Sequence, residues 1–112
     1  EHRCSLVDAY RLRLKDVAGL KLFNAVEGSS AWLMPVRVAN RDDFCNVLES
    51  KGVETNVVQL RNDRYCVFQE RCVCPELPNM DALEEHYIYL PLHTRMEVGD
   101  VEEICQIIRR GW

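Results

Sequence analysis

Val101, Ile104, Cys105 and Ile108 repeat at i, i+3, i+4 and i+7, the stripe of a helix with one buried face. A second stripe, Val7, Tyr10, Leu14 and Val17, lies near the other end. Between them the period changes from helical to two. In Ala31–Val38, Trp32, Met34, Val36 and Val38 fall on one face, and Leu33, Pro35 and Arg37 on the other. Helical stripes that bracket a strand pattern must bury against it. The chain therefore reads as α+β, a small two-layer domain with helices packed on a sheet of three to four strands.

The punctuation places the remaining elements. The first helix is expected over Cys4–Val17, ended by Gly19, with a short strand at Leu20–Phe23 and a turn at Glu27-Gly28-Ser29-Ser30. Pro35 has no backbone donor, which assigns its strand position to an edge or bulge. Asn40 is an N-cap for a helix that runs to Lys51 with Phe44, Val47 and Leu48 inward, and Gly52 closes it. Val53–Leu60 alternates again and is predicted to be the next strand, so that a strand–helix–strand unit forms the middle of the chain. Asp81 is expected to start a short helix, with Glu84 at the capping-box position. Ile88–Leu92 is a predicted strand placed near an edge or end by Pro91. In the last helix, acids at Asp100, Glu102 and Glu103 and bases at Arg109 and Arg110 suit the helix dipole, and Gly111 terminates it.

Composition excludes several function classes. The 112 residues carry a net charge of −4, which argues against nucleic acid as the main partner. The longest apolar run, Ala31–Val36, is far below the roughly 20 residues of a membrane span, and no signal-peptide pattern opens the chain. Length fits one domain, residues 1–112. The first residue is Glu1, which suggests a processed or trimmed chain. Seven acids between Asp81 and Glu103 read as a solvated helical face.

Six cysteines could pair in fifteen ways, and the sequence does not choose among them. Cys4, Cys45 and Cys105 fall on apolar faces of predicted helices, where a thiol is a small buried hydrophobe. Cys66, Cys72 and Cys74 lack the second close pair of a zinc site, so no metal is assigned. Reduced thiols and a cytoplasmic location follow.

Chemistry-bearing residues are few. There is no glycine-rich phosphate loop and no nucleophile elbow. The adjacent carboxylates Asp42–Asp43 and Glu84–Glu85 do not face each other on a helix. His2 and His86 are scattered, whereas His93 sits at the end of a predicted strand and is kept as a candidate. Arg61-Asn62-Asp63-Arg64-Tyr65 packs two guanidinium forks, an amide, a carboxylate and a phenol into one stretch of the long 61–78 connection. Such groups suit carboxylate or phosphate recognition as well as a plain polar turn.

The order of several segments carries more than any one motif. Trp32-Leu33-Met34-Pro35-Val36-Arg37-Val38 precedes Asn40-Arg41-Asp42-Asp43-Phe44, Lys51-Gly52-Val53-Glu54-Thr55-Asn56-Val57 and Leu60-Arg61-Asn62-Asp63-Arg64-Tyr65. Leu77-Pro78-Asn79-Met80-Asp81, Leu90-Pro91-Leu92-His93 and the Val98–Trp112 helix follow. From Tyr10 to Trp112 this resembles the C-terminal small domain of the DegT/DnrJ/EryC1/StrS family of pyridoxal-phosphate-dependent sugar aminotransferases. The resemblance implies a large domain of the same polypeptide that carries the Schiff-base lysine and the cofactor. It implies homodimers and a nucleotide-sugar substrate that receives an amino group from glutamate or glutamine. The segment after the Val53 strand is expected to enter the substrate side, with Arg61 and Tyr65 as sugar or phosphate contacts and Asn62 in support. Many relatives have a His-Tyr pair near Gln59-Leu60, so those roles do not transfer, and Glu97 stands where a Ser or Thr cap is common. Lys15, Lys21 and Lys51 fall on or beside predicted surface helices or turns, so no catalytic or cofactor-binding residue is assigned here, and this chain alone is expected neither to bind pyridoxal phosphate nor to transaminate. The alternative is a free-standing small α+β ligand-binding or interaction module.

Overall fold

A computed structural model describes residues 1–24, 28–69 and 76–112. Helix α1 (His2–Leu14) leads into strand β1 (Leu20–Leu22), then β2 (Met34–Val38), helix α2 (Arg41–Ser50), a 3-10 turn (Asn62–Arg64), short helices α3 (Cys66–Gln69) and α4 (Pro78–Glu84), strand β3 (Tyr87–Leu90) and helix α5 (Val98–Arg109). The sheet is antiparallel with order β1-β2-β3. The architecture is the expected α+β layer.

One face of the sheet makes the core. Met34, Val36 and Val38 of β2 and Ile88 and Leu90 of β3 point to the same side and are buried. They meet Leu6, Tyr10 and Leu14 of α1, Phe44 and Leu48 of α2, and Val101, Ile104, Cys105 and Ile108 of α5. Both stripes read from the sequence are thus seated. Cys105 behaves as expected of a buried thiol, and burial pushes its pKa up to about 11. Cys4 does not: it is exposed, because the buried face of α1 runs through Leu6, Ala9 and Tyr10. Cys45 is half-buried and Cys66 exposed, while Cys72 and Cys74 lie outside the described residues.

The C-terminus closes the core at one corner. The Trp112 ring meets Phe44 edge-on at 5.0 Å between centroids. It also approaches Gly19, where a Cβ would stand 3.2 Å from the indole and where φ is +78°. Glycine is therefore required there twice over, by conformation and by space.

Both strand prolines are placed by hydrogen-bond accounting. Pro35 belongs to the central strand, not an edge strand, but β1 ends at Leu22, one residue before its partner position. The missing N–H faces no acceptor, and the Phe23 carbonyl it would have served accepts from Arg11 Nη2 at 2.8 Å instead. Pro91 explains a correction. Residues 53–60 are not a strand: their backbone pairs with the sheet at one isolated bridge, Asn56 to Tyr89. The next pairing position along β3 is Pro91, which has no donor, and its carbonyl is taken by the buried Tyr10 hydroxyl at 2.9 Å. The alternation survives without the ladder, with Val53, Thr55 and Val57 turned inward and Glu54, Asn56 and Val58 outward. Among the described residues no strand lies between α2 and β3, so the expected strand at 53–60 is absent from the sheet, which has three strands.

The helix ends also follow local signals. Asn40 caps α2 by accepting from the Asp43 N–H. At α5 the Asp100 carboxylate accepts from the Glu97 N–H at 2.8 Å, so Glu97 serves as the cap residue despite being neither Ser nor Thr. Helix α4 starts at Pro78 rather than Asp81, because proline fits the first turn of a helix, where its lost N–H has no partner anyway.

Candidate functional site

The second face of the sheet is not core. Tyr87 and Tyr89 alternate with Ile88 and Leu90 along β3 and so point away from the helices α1 and α5, as Pro35 does on β2. The two tyrosine rings pack edge to face, centroids 5.8 Å apart. They floor an open cavity of about 1070 Å³ whose walls are α1 (Val7, Asp8, Arg11), the approach to β2 (Trp32, Leu33), Gln59–Asn62, and Met80 and Leu83 of α4. Trp32 and Leu60 are 57% and 68% exposed at this cavity, so its rim is apolar. Burial beside Tyr87 raises the Tyr89 pKa.

Two long-range contacts hold the Gln59–Asn62 wall. The Tyr87 hydroxyl donates to the Gln59 carbonyl at 2.5 Å. Arg61, the one buried charged residue among the described residues, folds back into a ring of carboxylates. Its Nε and Nη2 chelate both oxygens of Asp63 at 3.0 and 2.6 Å. Its Nη1 donates to Asp81 at 2.5 Å and to Glu84 at 3.1 Å. Arg64 joins from the surface, 2.7 Å from the same Glu84. Hydrogen bonds donated to Asp63 and Asp81 raise the Arg61 pKa, and Arg61 in turn lowers that of Asp63. Asp81 and Glu84 are thus more than part of a solvated acidic face.

The four candidate residues do not converge. Arg61 and Asn62 line the large cavity; Tyr65 is exposed just beyond it and does not line it. His93 lies at a second cavity of about 590 Å³, with Lys51, Glu54, Asp100 and Glu103. Sequence reasoning put Trp32 on the face of Met34, Val36 and Val38, but it precedes β2 and is exposed at the large cavity, and Tyr87 and Tyr89 were missed. The signal was present in Tyr87-Ile88-Tyr89-Leu90, where aromatic and aliphatic residues alternate and so furnish two different faces.

Pyridoxal phosphate does not fit these residues. Its imine needs a lysine, and Lys15, Lys21 and Lys51 are all exposed. None lines the large cavity, and Lys51 at the second one stands among acids that repel a phosphate. Among the described residues no group of His, Cys, Asp or Glu is placed to hold a metal ion, and no helix is long and apolar enough to cross a membrane.

Comparison with known proteins places this geometry. Residues 1–109 match the DegT/DnrJ/EryC1/StrS aminotransferase family. Among solved structures, AtS13 from Actinomadura melliaura superposes with a TM-score of 0.91 at 25% identity, over 99% of this chain and 30% of that one. A DegT DnrJ EryC1 StrS aminotransferase from Brucella abortus gives 0.84 at 25%, over 97% of this chain and 30% of that one. The sugar aminotransferase CalS13 from Micromonospora echinospora, 22% identical, shares the fold at a TM-score of 0.89 over 99% of this chain and 30% of its own. No curated protein matches the sequence. The chain spans about 30% of the length of these solved relatives. It belongs to the DegT/DnrJ/EryC1/StrS aminotransferase family.

Proposed function

We propose that this chain is the small C-terminal domain of a sugar aminotransferase and that its large cavity forms one wall of a nucleotide-sugar site. The observation that carries the proposal is the open cavity on the second face of the sheet. Family membership and a fold that accounts for 30% of its relatives' length leave most of such an enzyme to other residues. A cavity floored by Tyr87 and Tyr89 and rimmed by exposed Trp32 and Leu60 is a surface made to be covered. The covering partner in this reading is the large domain of the same polypeptide. That domain supplies the lysine and the cofactor, whose imine chemistry moves the amino group. This chain supplies binding and orientation only: Asn62 at the cavity and Tyr65 beside it are the proposed sugar contacts. His93 takes no part, since it opens on the other cavity. The whole enzyme in this reading is a cytoplasmic homodimer, with the keto-sugar nucleotide as acceptor.

Sequencing the gene upstream of the Glu1 codon tests the proposal. A reading frame about twice as long as this chain, with a lysine in an aminotransferase setting, is the expected result. A start codon immediately before Glu1 overturns it and favours a free-standing module. The purified chain, mixed with pyridoxal phosphate and reduced with borohydride, is expected to gain no stoichiometric adduct; an adduct would put the cofactor lysine in this chain after all.

A further inference from the structure

Arg61 is the residue whose chemistry and geometry point in opposite directions. An arginine in a turn beside an amide and a phenol suggests an anion ligand. The structure has already given its donors away. Four hydrogen bonds go to Asp63, Asp81 and Glu84, and the side chain is only 5% exposed. With Arg64 included, the cluster holds two cations and three carboxylates. An incoming phosphate would have to displace an internal carboxylate that is already in place and then face the negative charge that remains. Internal carboxylates also need no translational entropy to arrive, whereas a free anion does.

The partners show what the residue does instead. Asp63 is its neighbour in the turn, whereas Asp81 and Glu84 stand three residues apart, on one side of α4. The guanidinium therefore ties the 3-10 turn to a helix 20 residues further along the chain. Gln59 and Leu60 lead into this turn and line the cavity with Asn62, and the Tyr87 hydroxyl holds the Gln59 end. A planar fork with fixed donor directions sets an orientation that a lysine ammonium cannot.

We propose that Arg61 is a positioning residue, which clamps the Asn62–Arg64 turn onto α4 and so fixes one wall of the large cavity, and that it binds no substrate anion. The functional value of the wall rests on the aminotransferase reading; the clamp itself does not. Its test uses the purified chain, so it fails or succeeds independently of what lies upstream.

Two NMR measurements decide it. Inorganic phosphate is titrated while the Nε–Hε signal of Arg61 is followed. The expected result is a signal that does not move at tens of millimolar phosphate; a saturable shift that disappears in Arg61→Lys overturns the proposal. Amide exchange is then compared in wild type and Arg61→Met, which keeps the aliphatic stem and loses the fork. The Arg64 and Tyr65 amides, bonded to the Arg61 and Asn62 carbonyls, are expected to exchange at least about tenfold faster, while those of α5 stay unchanged. Arg61→Lys should restore part of the protection, because it keeps the charge but not the chelation. Should Arg61→Met fail to fold, Asp81→Asn combined with Glu84→Gln cuts the same clamp from the helix side and must speed the same two amides. Unchanged exchange at Arg64 and Tyr65 in a folded clamp variant overturns the proposal.

Discussion

The two faces of the sheet are held by different physics. On the core face, Val36, Phe44, Leu48, Val101 and Ile108 are at most 1% exposed, and few polar groups reach in. Contact there is apolar, non-directional and shared by three helices. On the other face, Gln59 is held at Tyr87 by a phenol–carbonyl bond, and Arg61 is held at α4 by its chelated guanidinium. The first arrangement sets the stability of the domain. The second sets the shape of a surface and leaves it partly open. The role proposed above needs both, and they can be altered separately.

Breaking the core face should have the largest effect. Phe44→Ala removes a fully buried ring and its edge contact with Trp112, and is expected to cost about 3–5 kcal/mol. Total stability of a domain this size is of order 5–15 kcal/mol, so the urea midpoint should fall by about a fifth or more, with all probes unfolding together. Retention of the wild-type midpoint would mean that the corner is not part of the core. Chemistry reports the same contrast. Cys105, with its pKa pushed up to about 11, should form roughly a hundredfold less thiolate than an ordinary thiol at pH 8. Iodoacetamide is therefore expected to label exposed Cys4 and Cys66 long before Cys105, as read by peptide mass spectrometry. Tyr10→Phe comes next. It strands the Pro91 carbonyl that stops the edge ladder and should cost about 1–2 kcal/mol.

The same contrast explains what the sequence could tell. The stripes Val7-Tyr10-Leu14 and Val101-Ile104-Cys105-Ile108, the Asn40 cap and the β2 alternation were legible, because apolar period and cap chemistry are local. Residues 53–60 were misread because their pattern is that of a strand, while the groups that deny them a partner, Pro91 and the Tyr10 hydroxyl, belong to other elements. Arg61 was legible as a binding chemistry but not as a clamp, since Asp81 and Glu84 lie 20 and 23 residues away. Asp81 resembles a helix start in the local sequence, but Pro78 is the stronger signal. Local rules gave the core face. The open face depends on which distant polar groups meet.

Acid should separate the faces. Arg61 lowers the Asp63 pKa below its ordinary 3.8, so the pairing is fully present above that pH and fades as pH falls through the lowered value. Arg61 stays charged throughout, its own pKa being raised. On titration from pH 7 downward, the Asp63 carboxyl carbon should titrate below 3.8, with the Arg61 Nε–Hε signal losing protection over the same range. Helical circular dichroism from the core is expected to outlast that change. A clamp that opens while the Asp63 carboxylate is still ionised would show that the Arg61–Asp63 pairing does not hold the turn.

The smallest expected effect on stability comes from the rim. Leu60 is 68% exposed at the edge of the large cavity and Trp32 beside that cavity 57%. Leu60→Ser removes little buried area, so folding stability should change by no more than about 0.5 kcal/mol. Association is another matter. An apolar rim left uncovered favours contact between copies, because each copy can bury the surface that the proposed large domain would cover. Light scattering should therefore show the wild-type chain self-associating as concentration rises, and Leu60→Ser shifting the onset to higher concentration at an unchanged urea midpoint. A wild-type chain that stays monomeric at high concentration would show that the open face is polar enough to stand alone. A loss of stability equal to that of a core substitution would erase the distinction between the two faces.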